Sequence, residues 1–109
     1  AGAALRHAAA IAGGLQVDAA RMRATLDASN GLLLAEAASF ALAAHMPRPA
    51  AQDLVKRASR TALAEGRHLM DLLASMTDAP VDWQSLKDPA GYLGAADTFI
   101  DGALAAARA

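Results

Sequence analysis

Gly31-Leu32-Leu33-Leu34-Ala35-Glu36-Ala37-Ala38-Ser39-Phe40-Ala41-Leu42-Ala43-Ala44 decides the fold, because only Glu36 and Ser39 interrupt an otherwise apolar run. Alanine and leucine are strong helix formers, and a helix that is apolar all round must be covered on every side. The segment is therefore expected to be the buried central helix of the domain or part of an oligomer interface. On that reading Leu33→Asp or Phe40→Asp unfolds the chain. The run is shorter than the roughly 20 apolar residues a membrane span needs, so it reads as a core helix.

Downstream, Met46-Pro47-Arg48-Pro49 forbids a continuous helix, since proline lacks an amide donor and biases the residue before it to extended geometry. From Pro49 the residues Ala51, Leu54, Val55, Ala58 and Ala62 form one stripe, with Asp53 and Arg57 paired on another face, up to Glu65 or Gly66. Leu69, Met70, Leu72, Leu73 and Met76 make a further apolar face, ended by the loop signal Thr77-Asp78-Ala79-Pro80. A short helical turn is expected over Asp82 to Lys87. The last helix, Ala95 to Ala107, carries Ala96, Phe99, Ile100, Ala103, Leu104 and Ala107 at helical spacing.

Upstream, Ser29-Asn30-Gly31 breaks the pattern. Before it lies a helix from Asp18, its N-cap, to about Asp27, with Val17 and Met22 at hydrophobic-staple positions. The first helix spans Ala3 to Ala12 and stops at Gly13-Gly14. The chain begins inside this helix without methionine or a signal-peptide pattern, which is expected of a piece of a longer protein.

The 109 residues, 55% hydrophobic with 32 alanines and 15 leucines, suit one all-α domain: a small bundle of about six helices with no internal repeat. A net charge of -1 from 10 basic and 11 acidic residues excludes compositional disorder and carries no footprint for nucleic acid or an anionic membrane. The absence of cysteine removes disulfides and thiolate chemistry and fits a reducing cytosol.

His7, His45 and His68 are too far apart in sequence to pair on one helix, and no Glu-x-x-His motif is present, so neither a zinc nor a di-iron site is expected. His45 suits the carboxyl end of the apolar helix. Glu36 is the most informative single residue: a carboxylate on an apolar helix either lies at its rim, pairs with a base such as Arg23, or serves a site. Arg21, Arg23, Lys56, Arg57, Arg60 and Arg67 are interleaved with Asp18, Asp27, Asp53 and Glu65, which describes a solvated face of mixed charge. No serine sits in a nucleophile elbow, and Trp83 and Tyr92 are expected to pack loops onto the bundle.

Val17-Asp18-Ala19-Ala20-Arg21-Met22-Arg23-Ala24-Thr25-Leu26-Asp27, with Gly31-Leu32-Leu33-Leu34-Ala35-Glu36-Ala37, resembles the start of the C-terminal domain in the fumarase/aspartase superfamily. Asp88-Pro89-Ala90-Gly91-Tyr92-Leu93-Gly94-Ala95-Ala96, followed by Phe99-Ile100-Asp101, resembles the tail of its adenylosuccinate-lyase-like branch. The resemblance runs from about Leu15 to Ala107. It implies that residues 1–14 end a long helix of a preceding central bundle and that residues 15–109 form a C-terminal helical domain. Where members commonly carry Asn-Leu-x-x-Thr-x-Gly, this chain has Thr25-Leu26-Asp27-Ala28-Ser29-Asn30-Gly31, with both polar side chains replaced.

The activity implied for the whole protein is that of a metal-independent cytoplasmic homotetramer of aromatic catabolism. It closes the tricarboxylate 3-carboxy-cis,cis-muconate to 4-carboxymuconolactone by intramolecular carboxylate addition. The superfamily's catalytic serine lies on a Gly-Ser-Ser-x-Met-Pro loop that does not occur here. No catalytic, cofactor-binding or metal-ligating residue is therefore assigned to this chain, which is expected to be inactive alone. Two other readings stay open. One is the same domain of a sister lyase acting on adenylosuccinate, and the other is a free-standing helical interaction module.

Overall fold

Helix-forming alanine and leucine, punctuated by glycine and proline, divide the chain into seven α-helices in a computed structural model that describes residues 1–109. They are α1 (Gly2–Gly13), α2 (Ala19–Asp27), α3 (Ala35–Ala43), α4 (Arg48–Glu65), α5 (Leu69–Met76), α6 (Trp83–Lys87) and α7 (Ala96–Arg108). Two 3-10 turns, Leu32–Leu34 and Pro89–Tyr92, precede α3 and follow α6. There is no strand, so the all-α reading holds.

The helix ends follow the capping chemistry in the sequence. The Asp18 carboxylate accepts the Arg21 amide at 2.8 Å to start α2, and Asp82 accepts the Ser85 amide at 3.0 Å to start α6. Pro47 is the N-cap of α4, which places Pro49 in the first turn where its missing amide costs nothing. Gly66, at φ 65, closes α4 in the left-handed conformation.

The core is confined to the middle of the chain. Its eleven buried apolar residues run from Ala38 to Leu73, with Leu42, Leu69, Met70 and Leu73 the largest that are wholly enclosed. α4 packs on both α3 and α5, and α5 packs on α6. Each of the five stripe positions of α4 (Ala51, Leu54, Val55, Ala58 and Ala62) is buried as the spacing predicts. Ala38, Ala51, Ala58 and Ala62 are fully enclosed, and their methyl groups let neighbouring helices approach closely. Trp83 and Leu86 close one end of the core, and the Tyr92 hydroxyl donates to the Leu86 carbonyl at 2.8 Å.

The structure departs from the sequence reading at four points. The run Gly31–Ala44 is not one buried helix. Asn30 and Gly31 are left-handed (φ 49 and 76), residues 32–34 form a 3-10 turn, and α3 begins only at Ala35. Within α3 only Ala38 and Leu42, four apart, are fully buried, while Phe40 is 58% exposed with the Arg48 guanidinium of α4 5.6 Å from its ring centre. Leu33 is 67% exposed, so aspartate at position 33 or 40 is not expected to unfold the protein.

The staple residues Val17 and Met22 are both exposed, and the ion pairs present (Arg23–Asp27, Arg67–Glu65 and Lys87–Asp71) do not include the expected Asp53–Arg57. Finally, α1, α2 and α7 bury no residue at all. A radius of gyration of 19.5 Å, against about 13 Å for a compact 100-residue domain, records these helices as arms extending from a small core.

Candidate functional site

A cleft of about 640 Å³ opens between the carboxyl end of α2, the start of α3, the amino end of α5 and the Pro89–Tyr92 turn. α2 supplies Arg23 and Asp27, α3 supplies Glu36, the residue before α5 supplies His68, and α6 supplies Lys87. Leu26, Leu33 and Leu34 give the cleft an apolar wall. Three residues singled out in the sequence, Arg23, Glu36 and Tyr92, thus meet at one place, joined by His68 and Lys87.

Most of the charges are already matched. The Arg23 Nε reaches the two carboxylate oxygens of Asp27 at 3.0 and 3.1 Å, and that hydrogen bond and charge hold the guanidinium above its ordinary range. Both partners are exposed, so the pair adds little to stability. Lys87 is paired with Asp71 on α5. Glu36 is exposed at the rim and makes no ion pair, so the pairing with Arg23 expected as one alternative goes to Asp27 instead.

The hydroxyls at the two replaced positions are turned inward to the backbone. Thr25 donates to the Arg21 carbonyl at 2.9 Å and Ser29 to the Leu26 carbonyl at 2.7 Å, so neither is presented to the cleft as a free nucleophile. No group of three or more histidine, aspartate and glutamate side chains converges as a metal site would need. The bases drawn together in sequence are dispersed. Arg21 and Arg23 lie on α2, Lys56, Arg57 and Arg60 line a shallow depression on α4, and Arg67 pairs with Glu65.

Sequence reasoning missed the role of His68. It is the N-cap of α5, its Nδ1 accepting the Met70 amide at 3.2 Å. Burial, with Lys87 acting in the same direction, pushes its pKa below the ordinary 6.5, so the ring is neutral near pH 7. The available signal was its place two residues after the Gly66 stop and immediately before the apolar Leu69-Met70 pair. His45 lies at the carboxyl end of α3, its amide donating to the Leu42 carbonyl at 2.9 Å.

Seven helices without a strand, three of them outlying, define a small all-α domain with a cleft beside its core. Residues 31–103 match the family described as adenylosuccinate lyase C-terminus, and the chain belongs to that family. It is 44% identical over 96 residues to 3-carboxy-cis,cis-muconate cycloisomerase of Bradyrhizobium diazoefficiens, covering 84% of this chain and 21% of that protein. The protein of the same name from Pseudomonas aeruginosa is 40% identical over 107 residues, covering 94% of this chain and 23% of the relative. Trans-aconitate decarboxylase 1 of Mycosarcoma maydis is 38% identical over 105 residues, covering 91% and 21%. The chain thus spans about a fifth of the length of the curated relatives it matches. No solved structure matches it.

Proposed function

We propose that this chain is the noncatalytic C-terminal domain of an enzyme that lactonises 3-carboxy-cis,cis-muconate to 4-carboxymuconolactone in protocatechuate catabolism, the β-ketoadipate route. The observation that carries this reading is the set of four relatives named 3-carboxy-cis,cis-muconate cycloisomerase, at 34% to 50% identity. The chemistry is addition of a substrate carboxylate to its own diene: the C–O bond forms as the π pair moves to the neighbouring carbon, which takes up a proton, so the step needs an acid and an anion-stabilising pocket. The paired cations and inward-turned hydroxyls of the cleft favour the rest of the polypeptide as the source of those groups. The domain contributes packing, and the Pro47–Pro49 elbow favours a rigid support over a hinged lid.

On the same reading α1, in residues 1–14, is the end of a long helix of a preceding central bundle, which would cover the exposed Leu5 and Ile11. The full-length protein is proposed to be a cytoplasmic homotetramer that uses neither metal nor cofactor and binds no nucleic acid or membrane. No helix is long and apolar enough to cross a membrane.

A sister-lyase reading is favoured by a different observation, the relatives named trans-aconitate decarboxylase 1 and nitrosuccinate lyase at 38% and 34% identity. The test uses the full-length protein encoded around this segment, following loss of diene absorbance with 3-carboxy-cis,cis-muconate and offering adenylosuccinate in parallel. Rapid loss of the diene is the expected result. Turnover of adenylosuccinate alone moves the assignment to a sister lyase, and inertness toward both favours a helical interaction module.

A further inference from the structure

The amino-terminal arm joins the core through one turn, and His68 lies against it. Asn30 and Gly31, left-handed at φ 49 and 76, reverse the chain so that the Asn30 carbonyl accepts the Leu69 amide at 2.8 Å. Among the backbone hydrogen bonds outside the helices, this one alone joins residues more than four apart. The imidazole fills the space left by the missing side chain of Gly31: a Cβ there would fall 2.4 Å from Cε1 and 2.7 Å from Nε2. Nδ1 lies on the same edge, 3.0 Å from that Cβ position, and accepts the Met70 amide at 3.2 Å, which puts the proton of the neutral ring on Nε2.

We propose that neutral His68 is a latch holding the Asn30–Gly31 turn against the amino end of α5, and that protonation of its Nδ1 opens the latch and loosens the α1–α2 arm from the core. An imidazolium has two N–H donors and no acceptor, so the capping bond to Met70 becomes a donor facing a donor. The added positive charge also sits at the end of α5 where the helix dipole is already positive.

The surrounding charges do not all agree. Lys87 on α6 opposes protonation, whereas Asp71 on α5 and Asp27 at the end of α2 favour it. Arg23 on α2 and Glu36 on α3 line the same cleft. Burial and Lys87 prevail. A histidine depressed in the closed form takes up a proton on opening. The closed form is therefore fully favoured above about pH 6.5 and loses that advantage as pH falls through the lower value of the folded state.

The test is amide hydrogen exchange and imidazole nitrogen-15 NMR on the full 109-residue chain, with His68→Asn as the comparison. Asparagine keeps an oxygen able to cap Met70 and does not titrate. The expected result in the parent is an unprotonated Nδ1 at neutral pH. Protection at Leu69 and Met70, corrected for intrinsic exchange, should then fall at least about threefold from pH ~7.5 to ~5 while Val55 in α4 keeps its protection. In His68→Asn the pH dependence at Leu69 and Met70 disappears. An Nδ1–H tautomer, pH-independent protection in the parent, or the same pH dependence in His68→Asn would each overturn the proposal. If His68→Asn fails to fold, the parent's tautomer and exchange profile still decide it.

Discussion

Residues 38–73 and the helices on either side have similar alanine-rich sequences and opposite fates. The stripe Leu54, Val55, Ala58 and Ala62 of α4 is enclosed, whereas the equally regular Phe99, Ile100, Ala103 and Leu104 of α7 is open, with Phe99 77% exposed. Amphipathic spacing states only that a face is available for burial. Whether it is buried depends on a neighbour that covers it, and α7, like α1 and α2, buries no residue within this chain. Isolated helices of this length are marginal in water, and under the proposed function the rest of the polypeptide would pack on these arms.

Truncating the core is the strongest way to sharpen that contrast. Leu73→Ala, at a wholly enclosed position, is expected to cost about 2–5 kcal/mol in urea unfolding followed by circular dichroism. Phe99→Ala in the same chain should shift the curve by no more than about 0.5 kcal/mol. Equal losses at the two sites would show that α7 is packed.

Gly31→Ala comes next, at about 2–4 kcal/mol, because it combines a left-handed backbone with a methyl group driven into the His68 ring. Gly66→Ala shares the positive φ but meets open space, so about 1 kcal/mol is expected. The difference between their thermal unfolding midpoints isolates the His68 contact.

Asp82→Ala removes the cap of α6 and should cost about 1 kcal/mol by the same unfolding assay. The smallest effect is expected at Phe40→Asp, within about 0.5 kcal/mol of the parent, since Phe40 faces solvent beneath Arg48. Unfolding by Phe40→Asp would restore the buried-helix reading of the Gly31–Ala44 run.

Much of the local structure was legible. The Asp18 cap, the stops at Gly14 and Gly66, the proline elbow and the buried stripe of α4 all follow from side-chain chemistry acting over a few residues. The Gly31–Ala44 run was misread because hydropathy does not report that two consecutive left-handed residues will rotate Leu33 outward and delay α3 to Ala35. Within the candidate site, Arg23, Glu36 and Tyr92 stood out in the sequence, but their partners did not. Asp71 meets Lys87 across sixteen residues, and His68 meets Gly31 across a longer interval.

By itself the sequence determined the helical class, most helix boundaries and the family, because propensity, capping and motif residues act locally or are read in linear order. Tertiary structure alone decided which apolar faces are covered, that the cleft's cations are matched, and that His68 joins the amino-terminal arm to α5. Burial and ion pairing depend on distances between residues far apart in the chain, and no local rule encodes those distances.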